Sequence, residues 1–247
     1  MILHTVIQDC LWLNWAVPEE ALPPVPKPLA YDVCKTPEGG FVFVSARLFR
    51  QHGLGSGMKL PGVSYPQCLL QACALDGDGL ECTWIFSVLL PNWLATSVRW
   101  VAGRPARGAR LDYPAAGDPG CRGEDWRWSV RRGSALAVEA SLLNSPPGAG
   151  PSLGSWEETL AYFRRQRLEY VRVRGKWRRV EVDRSSTAAV PLTARVLEGG
   201  LVIESLGGLP ASLPPLHSSW LLPTVNISFE YVVEGEHAAL PEAPAAL

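Results

Sequence analysis

The sequence predicts a mainly β protein of the α+β type: an antiparallel barrel with a flanking sheet and two or three short helices. Three observations carry this. About ten runs rich in β-branched and aromatic residues are separated by glycine, proline or Asp-Gly turns. Several successive runs are joined by turns short enough to make hairpins. Two stretches, residues 92–101 and 155–166, carry apolar residues at helical spacing.

Taken in order, residues 4–17 read as a first strand, with Trp12 and Trp15, leading to a turn at Pro18. Residues 21–29 hold Pro23, Pro24, Pro26 and Pro28, which favour extended surface chain. Gly39-Gly40 marks a turn, and residues 41–50 (FVFVSARLFR) form a strong strand with Arg47 inside it. Residues 52–62 are a glycine-rich loop without the lysine and helix start of a phosphate-binding loop. Residues 64–75 form a strand, closed by Asp76-Gly77-Asp78-Gly79, which turns it back against the next. That turn lacks the ligand series and closing glutamate of a calcium loop.

Residues 80–113 form the densest apolar unit. Residues 82–90 (CTWIFSVLL) suit a strand buried on both faces, ended at Pro91. Asn92 is a good helix cap, and Trp93, Leu94, Val98 and Val101 form one apolar stripe. Gly103 stops the helix, Pro105 forces extended chain, and residues 106–113 run back as a strand.

Residues 114–123 are a polar loop, and residues 126–130 pair with residues 135–142 across Arg132-Gly133-Ser134. Residues 144–154 form a long surface loop, because the strands after it are too few to make a separate core. Ser155 with Glu158 is a capping box for a helix that buries Trp156, Leu160 and Phe163. Residues 169–174 and 177–183 form a hairpin around Gly175-Lys176, and residues 193–206 a second around Gly199-Gly200. Residues 224–233 are the last strand. The expected organisation is one domain over residues 1–237, with residues 238–247 a frayed tail.

Composition narrows the function classes. The chain has 247 residues, 47% hydrophobic and 19% charged, with a net charge of −1, so bulk electrostatics favour no nucleic-acid partner. No leader or membrane-length apolar run is visible, which points to a cytoplasmic protein without membrane association. Cys10, Cys34, Cys68, Cys73, Cys82 and Cys121 contain no CxxC pair and only four histidines could assist them, so the expectation is reduced, mostly buried thiols and no metal. No cofactor is implied, and self-association is left open.

Residues 13–18 (LNWAVP), Ala46-Arg47-Leu48, residues 60–66 (LPGVSYP) and the strand–helix–glycine–proline–strand order of residues 80–113 resemble, in that sequence, an uncharacterised bacterial family of the acetoacetate-decarboxylase-like superfamily. The resemblance implies a cone-shaped barrel with an internal pocket. It also exposes departures. Acetoacetate decarboxylases carry a glycine-x-proline-lysine-lysine motif whose first lysine forms a Schiff base. The matching stretch here is Gly103-Arg104-Pro105-Ala106-Arg107, which puts Ala106 at the amine position. On the preceding strand, Gln67 replaces the family glutamate. Leu69 and Gln71 stand where its uncharacterised relatives favour asparagine and arginine. Alternation puts all three on one face, so a polar wall has become neutral.

Amine catalysis needs a lysine of lowered pKa. Lys27, Lys35, Lys59 and Lys176 all read as solvated. No nucleophile elbow is present, and His217-Ser218 reads as a surface pair near a strand start. Arg47 must be paired or must face an anion. Arg104 and Arg107 flank the turn where the superfamily places its site. The basic run at residues 164–179 reads as a solvated face. The candidate ligand-binding residues are therefore Arg47, Gln67, Gln71, Arg104 and Arg107, with no catalytic residue. The expected function is a barrel pocket that binds a small apolar or carboxylated metabolite. Two alternatives stand beside it: a superfamily enzyme acting on keto acids without a Schiff base, and a structural or interaction protein.

Overall fold

A computed structural model describes residues 2–37, 39–55, 64–102, 106–114, 126–143, 145, 153–173, 176–184, 188–208 and 210–232. Gly103, Arg104, Pro105, Lys59, Cys121, most of the 144–154 loop and the tail from residue 233 lie outside these residues.

The described residues form thirteen strands and three helices. β1 (Ile2–Pro18) and β4 (Gly39–Gly55) are long antiparallel neighbours, with the short β2 (Ala30–Tyr31) and β3 (Cys34–Thr36) between them in the chain. β5 (Tyr65–Leu75) and β6 (Glu81–Pro91) make the expected hairpin. The Asp76 carboxylate stabilises its turn by accepting from the Asp78 and Leu80 backbone N–H groups at 3.0 and 2.9 Å. Gly79 takes φ +77° there, a conformation that costs a residue with a side chain.

α1 (Asn92–Ala102) follows β6 directly, and β7 (Ala106–Asp112) follows α1. Gly108 lets β7 approach the start of that helix, because a Cβ there would meet Asn92 Oδ1. β8 (Trp126–Arg132) and β9 (Ser134–Leu142) form the second expected hairpin. α2 (Trp156–Arg165) is capped by Ser155, whose Oγ accepts from the Glu158 N–H at 3.1 Å. β10 (Leu168–Val173) and β11 (Lys176–Arg184) pair antiparallel. The chain then runs through β12 (Val190–Glu198), α3 (Gly200–Ser205) and β13 (Leu216–Val232).

The pairings close a ring of seven strands in the order β11, β10, β6, β5, β4, β1, β13 and back to β11. Every one of these strands sends residues to a common apolar interior, among them Ile7, Phe49, Leu69, Ile85, Val171, Val180 and Val225. This interior is the barrel lumen. A bulge at Asp9, which has φ +49° and lies where the β1–β4 register shifts, lets both Ile7 and Cys10 point inward. On the outer faces of β1, β4 and β5, a second core with Leu13, Val44, Leu48 and Leu70 packs beneath β8 and β9, which contribute Trp128, Val130, Leu136 and Val138. No helix among the described residues is long and apolar enough to cross a membrane.

Four expectations change. β7 does not run back antiparallel to β6. It pairs with it in parallel, Val88 to Ala106 through Pro91 to Ala109, because the eleven-residue α1 first carries the chain back along the sheet. β10 also pairs with β6 in parallel, so the sheet is mixed. Residues 193–206 are a strand and a helix, not a hairpin. β12 pairs with β9 as far as Glu198, and the chain after Gly199 turns into α3, which buries Leu201 and Val202 in the outer core instead of returning as a strand. β13 begins at Leu216, eight residues before the expected start. It passes through Pro223, which falls opposite the Asp9 bulge, where a missing donor breaks no ladder bond.

Candidate functional site

The lumen has an apolar half and a polar half. α1 lays Ala95 against the apolar half, and α2 lays Tyr162 and Phe163 among Trp12, Phe43 and Trp220 at the other. Between them lies a layer of polar side chains.

Arg47, on the inward face of β4, reaches across the lumen to Glu169 on β10. Its Nη2 donates to Glu169 Oε1 at 2.7 Å, and both side chains are buried. The guanidinium also lies over the Trp12 ring, 5.1 Å from its centroid, which adds a cation–π contact. Gln67, Leu69 and Gln71 alternate along the inward face of β5, as expected. The register sets Arg47 opposite Leu69 and Ser45 opposite Gln71, so Gln71 is a diagonal neighbour of Arg47 on one face. Arg47 Nε and Gln71 Oε1 are both buried without a hydrogen-bond partner.

Two polar groupings flank this layer. Gln166 Oε1 accepts from Thr83 Oγ1 at 3.0 Å and from Cys73 Sγ at 3.4 Å. Burial pushes the Cys73 and Cys82 thiols up to about 12, so neither is a thiolate nucleophile near neutral pH. On the other side Ser45 Oγ donates to Asn14 Oδ1 at 2.6 Å, and Asn14 Nδ2 donates to Ser218 Oγ at 3.2 Å. Ser218 Oγ in turn lies 3.2 Å from His217 Nδ1. His217 is half-buried with its ring edge-on to Phe43 at 4.9 Å, and desolvation lowers its pKa. This corrects the surface reading of His217 and Ser218: both sit in β13, against the aromatic end of the lumen.

The structure brings together Arg47, Gln67 and Gln71 but not Arg107. Ala106 faces inward beside Val88 and is 1% exposed, so the next residue along β7 points out. Arg107 is exposed, and its charge acts on Glu204 of α3. Arg104 lies outside the described residues. Glu169, Asn14, Ser45 and Trp12 were missed as site residues. Glu169 was hidden in a basic run, and the one available signal was that strand alternation gives it the same face as Val171.

Similar proteins can now be compared. An enduracididine biosynthesis enzyme, MppR, solved with HEPES buffer bound, superposes over 96% of this chain and 89% of its own, with 12% identity and a TM-score of 0.58. An acetoacetate decarboxylase-like enzyme from Sphingomonas wittichii RW1 covers 92% of this chain and 89% of its own, with 12% identity and a TM-score of 0.54. MppR complexed with pyruvate superposes over 93% of this chain and 88% of its own, with 11% identity and a TM-score of 0.56. The fold is the acetoacetate-decarboxylase-like one. No family model and no curated protein matches the sequence, so the likeness shown is one of fold. In this acetoacetate-decarboxylase-like barrel the polar layer around Arg47 stands in the lumen, and Ala106 forms part of its apolar wall.

Proposed function

We propose that the barrel lumen binds a small, largely apolar molecule bearing a carbonyl or carboxyl head, and that it does so without covalent amine chemistry. The observation that carries this reading is the pairing of a polar Arg47–Gln71 layer with Ala106 in the apolar wall. Arg47 can hold and polarise an oxygen, but a guanidinium stays protonated and cannot form an imine. Lys27 and Lys35 are exposed, far in character from the buried amine that Schiff-base chemistry needs. Lys59 lies outside the described residues, and Lys176 is described in its backbone alone. A neighbour of the same fold holds pyruvate, which makes small oxo acids and their relatives the first molecules to test.

Two measurements test the reading. Native mass spectrometry of untagged protein is expected to show a small copurifying molecule, released on unfolding. Borohydride treatment with a panel of 2-oxo acids, followed by intact-mass measurement, is expected to leave the chain unmodified. A reduced adduct on any lysine, accompanied by substrate turnover, would overturn the non-covalent reading.

A further inference from the structure

Resting on the reading of the lumen as a binding site, we propose a class for its ligand: an uncharged molecule whose head carries a carbonyl oxygen beside an N–H or O–H donor, as a primary carboxamide or lactam does, in preference to a carboxylate.

Charge is the first argument. Among the described residues the buried charged side chains are Arg47, Glu169 and Asp76, and Asp76 belongs to the β5–β6 turn. Among the described residues the buried cation and anion of the lumen are thus Arg47 and Glu169, joined at 2.7 Å. The other inward polar groups on β5, Gln67 and Gln71, are neutral amides. A carboxylate entering this layer would bring a second negative charge beside buried Glu169, or would have to compete with it for Arg47. Either outcome is strongly unfavourable. An uncharged head avoids both.

Hydrogen bonding is the second argument. Arg47 spends Nη2 on Glu169, and its Nε–H is left as a buried donor without an acceptor. Gln71, 1% exposed, has Oε1 as a buried acceptor without a donor. The two residues are diagonal neighbours on one sheet face, so donor and acceptor address the same region. Buried polar atoms in folded proteins find partners. A carboxamide supplies both at once: its oxygen accepts from Arg47 and its N–H donates to Gln71. A carboxylate offers acceptors alone and leaves Gln71 Oε1 unmatched.

The apolar lining is the third argument. Ile7, Leu69 and Ile85 present aliphatic carbon to the lumen, which suits a compact apolar body behind the head.

The test compares matched amide and carboxylate pairs by titration calorimetry at neutral pH: benzamide against benzoate, 2-methylpropanamide against 2-methylpropanoate, and longer aliphatic pairs. The amide of at least one pair is expected to bind about tenfold tighter than its acid, and Gln71→Leu to lower amide affinity by about tenfold with little change in melting temperature. Tighter binding of the carboxylates, with Gln71→Leu neutral, would overturn the ligand class and leave the binding barrel standing. No binding by any member of the series at millimolar concentration would overturn both. The amide–acid comparison uses the unaltered chain, so the result does not hang on whether Gln71→Leu folds.

Discussion

Leu69 and Leu70 are neighbours on β5, yet they belong to different interiors. Leu70 has no exposure and packs in the outer core with Leu13, Val44 and Leu48. Leu69 points into the lumen and keeps 7% exposure, as do Gln67 and Ile85. Among the described residues the outer core holds no buried ion pair; the lumen holds Arg47 and Glu169. The first interior is a dry, close-packed layer whose work is stability. The second buries charge beside its apolar carbon, a combination that serves recognition better than it serves stability. One strand separates the two, and a one-residue shift of register would exchange them.

The sharpest break in this contrast comes from the ion pair. Arg47→Met removes the partner that meets buried Glu169 at 2.7 Å and is expected to cost roughly 3–5 kcal/mol in urea unfolding. Adding Glu169→Met should recover most of that loss. If the double variant is no more stable than the single one, the pair is not the electrostatic unit described here. Next in size is the comparison within β5. Leu70→Ala is expected to cost about 3–5 kcal/mol, because it opens a cavity in a close-packed layer. Leu69→Ala should cost about 1–2 kcal/mol less, because its side chain keeps 7% exposure where Leu70 has none. Equal losses would mean that the lumen is packed as tightly as the outer core. A smaller effect is expected at the helix that covers the aromatic end of the lumen. Ser155→Ala should lower stability by about 1 kcal/mol through the lost Glu158 N–H cap, measurable as a reduced midpoint with unchanged slope.

The smallest effect is pH-dependent. His217 has its pKa lowered from 6.5 by desolvation, so the unfolded chain binds its proton first. With more protons on the unfolded state, stability rises with pH across that window. The His217 contribution is therefore intact above about pH 7 and is lost as pH falls through 6.5 toward the lower folded value. His217→Phe should flatten that slope relative to the unaltered chain. An unchanged slope would place the ring in water, not against Phe43.

Much of this is written locally. The β5–β6 turn is legible because Asp76 can hold the N–H groups of Asp78 and Leu80 and Gly79 can take positive φ. The α2 start is legible because Ser155 and Glu158 are three apart. Arg47 stands out because a charge inside an apolar strand needs a partner, and Ala106 because an alanine cannot supply an amine. The shared face of Gln67, Leu69 and Gln71 follows from alternation alone.

Tertiary structure decided the rest. Strands such as β4 and β5 are buried on both faces, so no polar–apolar alternation marks which side is lumen and which is outer core. Glu169 lies 122 residues from Arg47, and nothing in its own basic surroundings names that partner. The parallel pairing of β6 with β7 and β10, and the helix in place of a hairpin after Gly199, depended on distant segments: the strands that flank β6 and the outer core that receives Leu201 and Val202. Residue identities determine turns, caps and faces because these need neighbours a few positions away. Closing seven strands into a ring, and so joining an arginine to a glutamate across it, needs contacts between segments that meet only when the whole sheet has formed.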